Sequence, residues 1–356
     1  MARRIRRTLG PLDLRSQAIL RAVIEEYITT ASPVGSMALV ERYHLGVSSA
    51  TVRNILAELE ISGLLSHPHT SAGRVPTDAG YRFYVESITE AVSLPAVEQL
   101  MIRHQFGQVE FASEHWFRLA ATTLAGLTRS AGLATPAKPH AAHIRRVDLV
   151  AVNVRMASLI LVLREGSIKQ AVVAIDDDDV VDQALLNRVA GLLNERLIDL
   201  TASLAQAALA RLGEDDGLAR VARTVGERIV RILRDYDAAA IEEVFSDGLL
   251  NVMEAPEFAQ SDKLRRVFAA LENRAYLGEL VGSVAGGGRI QIFIGGENGP
   301  LEMRDVSLVL APYGRPGRAI GVVGVLGPTR MSYPQAIGTV RFVSGLMNEL
   351  VDHLYA

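Results

Sequence analysis

The chain of 356 residues has no cysteine. A disulfide framework, thiolate ligation of zinc and a cysteine nucleophile are all excluded by that absence, which fits a reducing cytoplasm. No run of about 18 uncharged apolar residues occurs, so no membrane-spanning helix is expected. The amino terminus is basic (Arg3, Arg4, Arg6, Arg7), but Leu9–Leu12 is broken at once by Asp13 and Arg15, which rules out the apolar stretch of a secretory signal. The expected location is the cytoplasm. Catalytic signatures are missing too. There is no HExxH, no GxSxG elbow and no glycine-rich loop followed by Lys-Ser/Thr. An enzyme finds no support, and neither a metal nor another cofactor is expected.

What is present is enough apolar sequence, 49 %, for two or three packed cores. The net charge is −3, so any nucleic-acid binding has to come from local placement of charge. Residues 1–90 carry ten arginines against nine acids, a weak asymmetry.

Leu20, Val23, Ile24, Tyr27 and Ile28 repeat at helical spacing, and Ser32-Pro33 closes that helix. A short segment, Ser36–Tyr43, follows. A second stripe of Val52, Ile55, Leu56 and Leu59 begins behind the N-cap candidates Ser48 and Ser49 and ends at Gly63. Leu64–His67 and Arg74–Pro76 read as two short strands joined by the turn-forming run Pro68–Gly73. Three helices and a hairpin are the content of a winged helix-turn-helix, expected over 15–90 behind a basic arm at 1–14. Thr77 is placed to cap an exit helix whose stripe is Tyr81, Tyr84, Val85 and Ile88.

In a helix-turn-helix the second helix enters the major groove, with its outward side chains on base edges. At 100° per residue, Ala50, Arg53, Asn54 and Ala57 fall opposite the apolar stripe. The two alanines permit close approach. Arginine pairs bidentately with guanine and asparagine with adenine, each good pair worth roughly 1–3 kcal/mol of discrimination. Ser48, Ser49 and Thr51 lie at the helix start, where hydroxyls and free N–H groups suit phosphate. His69, Thr70, Ser71 and Arg74 in the hairpin are expected on the sugar-phosphate backbone or the adjacent minor groove.

Further along, residues 91–146 read as a helical linker and the start of a second domain, with 96–134 helical in pattern and Thr135–His140 a loop. Val147–Val154, Ser158–Arg164 and Ile168–Ile175 read as an antiparallel meander. Helical character returns from Asp176, and strands again at Arg289–Ile294, Val306–Ala311 and Gly317–Val325, before a closing helix at Pro334–Leu354. The expectation is an α+β multidomain chain in which a mainly helical module, 176–260, interrupts an α+β domain made of 147–175 and 261–356.

Two glycine-rich runs, Ala285–Arg289 and Gly295–Gly299, are read as ordinary β-turns. The acids Asp176–Asp179 precede a helix and are read as complementing its dipole. The histidines are scattered; His67 and His69 fall in the hairpin.

Ser48–Gly63 (SSATVRNILAELEISG), His69–Val85 (HTSAGRVPTDAGYRFYV), Thr30–Tyr43 (TASPVGSMALVERY) and Gly321–Tyr333 (GVVGVLGPTRMSY) resemble the HrcA family of heat-inducible transcription repressors over essentially the full length. Ile61 and Ser62 depart from the family's usual residues and are read as lying off the reading face. The resemblance implies that the second domain is GAF-like and that the inserted module is for dimerisation. It further implies a homodimer on double-stranded DNA, at an inverted-repeat operator of chaperonin and DnaK-type chaperone operons. Repression would be relieved on heat stress, with activity tied to the chaperonin. Two other roles stand beside it: a ligand-sensing regulator whose pocket is lined by 147–175 and 290–325, and a structural role in which the inserted helices serve only assembly.

Overall fold

The computed structural model describes residues 12–68, 73–88, 92–109, 113–139, 141–164, 166–175, 182–212, 217–238, 244–258, 265, 267, 269, 274–315 and 319–354. Residues 1–11 of the basic arm, His69, Thr70, Ser71 and Asp176–Asp179 lie outside the described residues. The chain divides into two compact units, 1–136 with 243–313 and 322–347, and 137–242 with 314–321 and 348–356.

The first unit begins with α1 (Leu14–Thr30), α2 (Ser36–Tyr43), α3 (Ser49–Ile61), the two-residue strands β1 (Leu65–Ser66) and β2 (Val75–Pro76), and α4 (Asp78–Ile88). Helix α1 starts earlier than its apolar stripe because Asp13 caps it, accepting the Ser16 N–H at 2.7 Å. It ends in Ala31, which takes the left-handed conformation (φ 51°) just ahead of Ser32-Pro33. Ile19, Leu20, Val23 and Ile24 of α1, Leu39 of α2, Val52 and Leu59 of α3 and Leu64 are almost completely buried.

The same unit continues through α5 (Ala96–Gly107) and α6 (Ser113–Thr128) into a six-stranded antiparallel sheet. Its members are β3 (Ala131–Ala134), β4 (Lys138–Pro139), β8 (Phe245–Asp247), β9 (Gln291–Ile294), β10 (Val306–Arg315) and β11 (Ala319–Pro328), in the order β8-β3-β11-β10-β9 with β4 paired to β11; β4 and the adjoining ends of β10 and β11 are counted with the second unit. Helices α10 (Leu249–Met253), α11 (Arg274–Gly287) and α12 (Tyr333–Leu354) complete it. Leu133, Leu308, Leu310, Val322 and Leu326 share a core with Val252, Phe258, Leu280 and Val284.

Strand β3 corrects the helical expectation for 96–134. Ala131-Gly132-Leu133-Ala134 has no β-branched residue and no alternation, so neither propensity nor periodicity marks it. All four residues are buried, and the pairing with β11 and β8 decides their conformation.

In the second unit, β5 (Ile144–Asn153), β6 (Met156–Leu163) and β7 (Ile168–Ala174) form the expected antiparallel meander. It is a sheet of its own. Leu149, Leu159 and Leu161 pack on Leu186 and Leu193 of α7 (Gln183–Leu197) and on Val225 and Ile229 of α9 (Gly217–Ala238), with Ala205 and Leu209 of α8 (Ala202–Leu209) in the same core. Two boundaries therefore change. Strands 147–175 belong with the helices of the inserted unit, which runs from 137 to 242 instead of 176 to 260, and β8 and α10 belong to the six-stranded part. The physical reason is that alternation reports a half-buried strand without naming the surface that buries it. The strand groups at 147–175 and 290–325 lie in separate sheets.

Helix α7 also closes the free edge of β5. Asn194 accepts the Val147 N–H at 2.8 Å and donates to its carbonyl at 2.7 Å, and Gln183 bonds Ala151 N–H and Leu149 C=O, both at 2.9 Å. Two amide side chains thus stand in for a neighbouring strand. Among the described residues, no helix is long and apolar enough to cross a membrane, and no group of three His, Asp or Glu side chains could hold a metal ion.

Candidate nucleic-acid interface

Helix α3 is anchored by its inner face. Val52 and Leu59 are essentially inaccessible, and Leu56 and Ile55 nearly so. At about 1.5–3 kcal/mol for each such side chain, this burial holds the helix firmly against α1 and α2. Ser48 caps it, its hydroxyl accepting the Thr51 N–H at 3.2 Å and lying 3.0 Å from the Thr51 hydroxyl. The turn before it passes through His44 (φ 47°) and Gly46 (φ 64°), which redirects the chain between α2 and α3.

The helix pair is further fixed by a buried acid. Glu26 of α1, 7 % exposed, forms an ion pair with Arg42 of α2 and accepts from the Tyr43 hydroxyl at 3.4 Å. Burial, with the Glu26 carboxylate beside it, pushes the Tyr43 hydroxyl above its ordinary pKa. Sequence periodicity gave no warning of this contact, because Glu26 falls outside the apolar stripe.

The outward face of α3 agrees with the helical wheel. Ala50, Arg53 and Asn54 are exposed, and Ala57, Ser49 and Thr51 are half-buried. Among the described residues Arg53 makes no ion pair and Asn54 no side-chain hydrogen bond. One residue was misplaced. Ile61 follows Asn54 by seven positions and Ala57 by four, which puts it on the same face, and it is 84 % exposed. The spacing was already present in the sequence.

Arg74 departs from expectation. Its Nε lies 2.7 Å from Glu60 Oε2, an ion pair in which the N–H does not point along the contact, and its side chain is 18 % exposed. Its backbone bridges Val34, with N–H···O distances of 2.8 and 2.9 Å. The guanidinium is drawn toward the end of α3, where Glu60 already pairs with it. The neighbouring Gly73 is required by the same bridge, since a Cβ there would stand 2.3 Å from the Val34 carbonyl group. Thr77 then closes the hairpin and starts α4, donating to Gly63 O at 2.7 Å and accepting the Gly80 N–H at 3.2 Å.

The family model for the HrcA protein C-terminal domain matches residues 114–337. The heat-inducible transcription repressor HrcA of Chloroflexus aurantiacus is 41 % identical, over 97 % of this chain and 95 % of its own. The chain belongs to the HrcA family. Other HrcA repressors agree: that of Herpetosiphon aurantiacus is 40 % identical over 97 % of this chain and 96 % of its own, and one from Dehalococcoides mccartyi 35 % over 97 % of both. A crystal structure described as that of a hypothetical protein shares the fold of this HrcA-family chain, with a TM-score of 0.64 at 22 % identity over 97 % of this chain and all of the other. The HrcA family model begins at Glu114, beyond the three-helix segment, and the full-length HrcA relatives extend the match to nearly the whole chain.

Proposed function

We propose that this HrcA-family chain is a homodimeric repressor of chaperonin and DnaK-type chaperone operons. Segment 14–88 acts as a winged helix-turn-helix that reads an inverted-repeat operator through Ala50, Arg53, Asn54 and Ala57. The observation that carries the proposal is α3 itself: four side chains bury its inner face while an arginine and an asparagine stand outward between small residues. Ser48, Ser49 and Thr51 supply hydroxyls at its amino end for phosphate. Arg74 supports the hairpin from within, and His69, Thr70 and Ser71, which lie outside the described residues, are assigned to phosphate contact by their residue types.

The six-stranded sheet with its flanking helices serves as the GAF-like domain, and 137–242 as the dimerisation module. A homodimer is supported by the outer face of β5–β7, where Val150, Val152, Met156, Ile168 and Val172 are exposed together. Apolar side chains grouped in this way mark an interaction surface. With α7 occupying the β5 edge, the exposed apolar face is assigned to a second copy. Two-fold pairing suits an inverted repeat, because each protomer presents one α3 to an equivalent half-site. Relief of repression on heating, and dependence on the chaperonin, come from family membership.

The test is a gel shift of purified protein on inverted repeats from upstream of chaperone operons, together with sedimentation of the free protein. A dimer that shifts the repeat and loses the shift in Arg53→Ala/Asn54→Ala meets the proposal; undiminished binding by that variant overturns it. Repeating the titration across temperature, with and without chaperonin, separates an intrinsic heat response from chaperonin supply.

A further inference from the structure

The run Gly295–Gly299, expected to be an ordinary β-turn, instead receives the start of α4. The Gly296 N–H donates to Asp78 Oδ2 at 2.9 Å. Gly295 has φ 51°, and a Cβ there would lie 2.4 Å from the Asp78 carboxylate, so only glycine admits that carboxylate. One turn along α4, Arg82 reaches Glu297 through Nε at 3.0 Å and through Nη2, and Nη2 also donates to Ile292 O at 2.6 Å. Glu297 is itself oriented by the Ile294 N–H at 3.0 Å.

Beneath these contacts Asn298 is buried, and its two amide N–H groups are shared among the carbonyls of Gly295, Met303 and Val306, which lie 2.8–3.0 Å from the nitrogen. A second group of contacts comes from the β11–α12 connection. Arg330 donates to Ile28 O near the end of α1 at 3.3 Å while pairing with Glu257 at 2.5 Å. Tyr333 sets its ring 5.8 Å from that of Tyr81 on α4. Two of the segments that carry the family resemblance, within His69–Val85 and Gly321–Tyr333, therefore meet the GGEN turn at one junction.

We infer that Asp78 and Arg82, gripped by the GGEN turn and Glu297, form a clamp that sets how segment 14–88 is presented by the rest of its unit. They are positioning residues for operator binding. Asp78 carries a negative charge and Arg82 is neutralised by Glu297, so neither is suited to touch DNA. Their effect passes through α1 and α4, which pack on each other and, through α1, on α3. Linking two readers can raise affinity by about 10²–10⁴ only when both reach their half-sites together. The centres of such half-sites are about 34 Å apart, or a multiple of that. A reader free to swing loses that gain while keeping its grip on a single half-site.

The inference rests on the two-site operator binding proposed above, and its test is arranged to separate the two. Because the chain has no cysteine, Met37→Cys on α2 and Leu301→Cys near the turn, both exposed positions, take spin labels without competition. The distance distribution between them is measured in otherwise wild-type protein, in Arg82→Glu, in Asp78→Asn and in the swap Arg82→Glu/Glu297→Arg. The same proteins are titrated with the full inverted repeat and with one half-site. Arg82→Glu is expected to broaden the distribution, weaken the full repeat by about tenfold or more and leave the half-site within about twofold; Asp78→Asn should do the same to a smaller extent. The swap should narrow the distribution again and recover part of the affinity, which a protein that had merely unfolded would not do. Equal losses on repeat and half-site, or an unchanged distribution in Arg82→Glu, overturn the clamp. Should wild-type protein bind no inverted repeat, the proposed function falls, and the label distances alone decide whether the clamp exists.

Discussion

Arg53 and Arg74 stand about twenty residues apart in one small segment and have opposite surroundings. Arg53 projects from the outer face of α3 with no ion-pair partner among the described residues, whereas Arg74 is enclosed at the base of the hairpin against Glu60. Both were expected to meet DNA. The difference teaches that an arginine beside a wing is a phosphate contact only if nothing inside the domain claims its charge first. A partly enclosed guanidinium with a carboxylate at 2.7 Å has already exchanged water for a protein partner.

The comparison can be broken or sharpened by substitution. The largest effect is expected at the hairpin base from Gly73→Ala, whose Cβ would meet the Val34 carbonyl group at 2.3 Å. Backbone has to move, and a loss of about 3 kcal/mol or more is expected, read as a fall in Tm with faster amide exchange through 14–88. Unchanged exchange would show the Val34–Arg74 bridge to be dispensable.

On the outer face, Arg53→Ala and Asn54→Ala should each cost about 1–3 kcal/mol of discrimination between operator and mismatched DNA. The Tm should remain at the wild-type value, because neither side chain contributes to the core. Arg74→Ala should behave in the reverse way. It removes a partly screened ion pair, so a stability loss of about 1–2 kcal/mol is expected, with the salt dependence of DNA binding unaltered. A slope reduced by about one counterion would restore Arg74 to the phosphate backbone. The smallest effect, about 1 kcal/mol, is expected for Ser48→Ala through loss of the α3 cap. Ser48→Asp sharpens the contrast, since it should recover the cap while its charge repels phosphate and weakens binding to every DNA sequence.

Legibility varied by element for identifiable reasons. Helix α3 and its two faces could be read residue by residue, because an amphipathic helix writes burial into a local period. The Ser48 and Thr77 caps were equally plain, as each serves N–H groups within three residues. By contrast, β3 was hidden in an Ala-Gly-Leu-Ala tetrapeptide, and the sheet to which β5–β7 belong depended on α7 and α9, dozens of residues later. Glu26 and Arg74 were opaque for a related reason. A charged residue shows its type in sequence, but its role depends on whether an opposite charge folds against it, as Arg42 and Glu60 do here.

The sequence by itself determined the capped α3, the outward Arg53 and Asn54, the hairpin with its exit helix, and membership of the HrcA family, since all of these reside in local spacing or in runs of residues that align as they stand. Only the tertiary structure decided that Arg74 pairs inward with Glu60, that Ile61, on the outer face by its spacing, is left 84 % exposed, and that the GGEN turn grips Asp78 and Arg82 from more than two hundred residues away. Local periodicity records which side of an element is apolar. Which surface covers that side, and which opposite charge arrives, is settled by long-range packing.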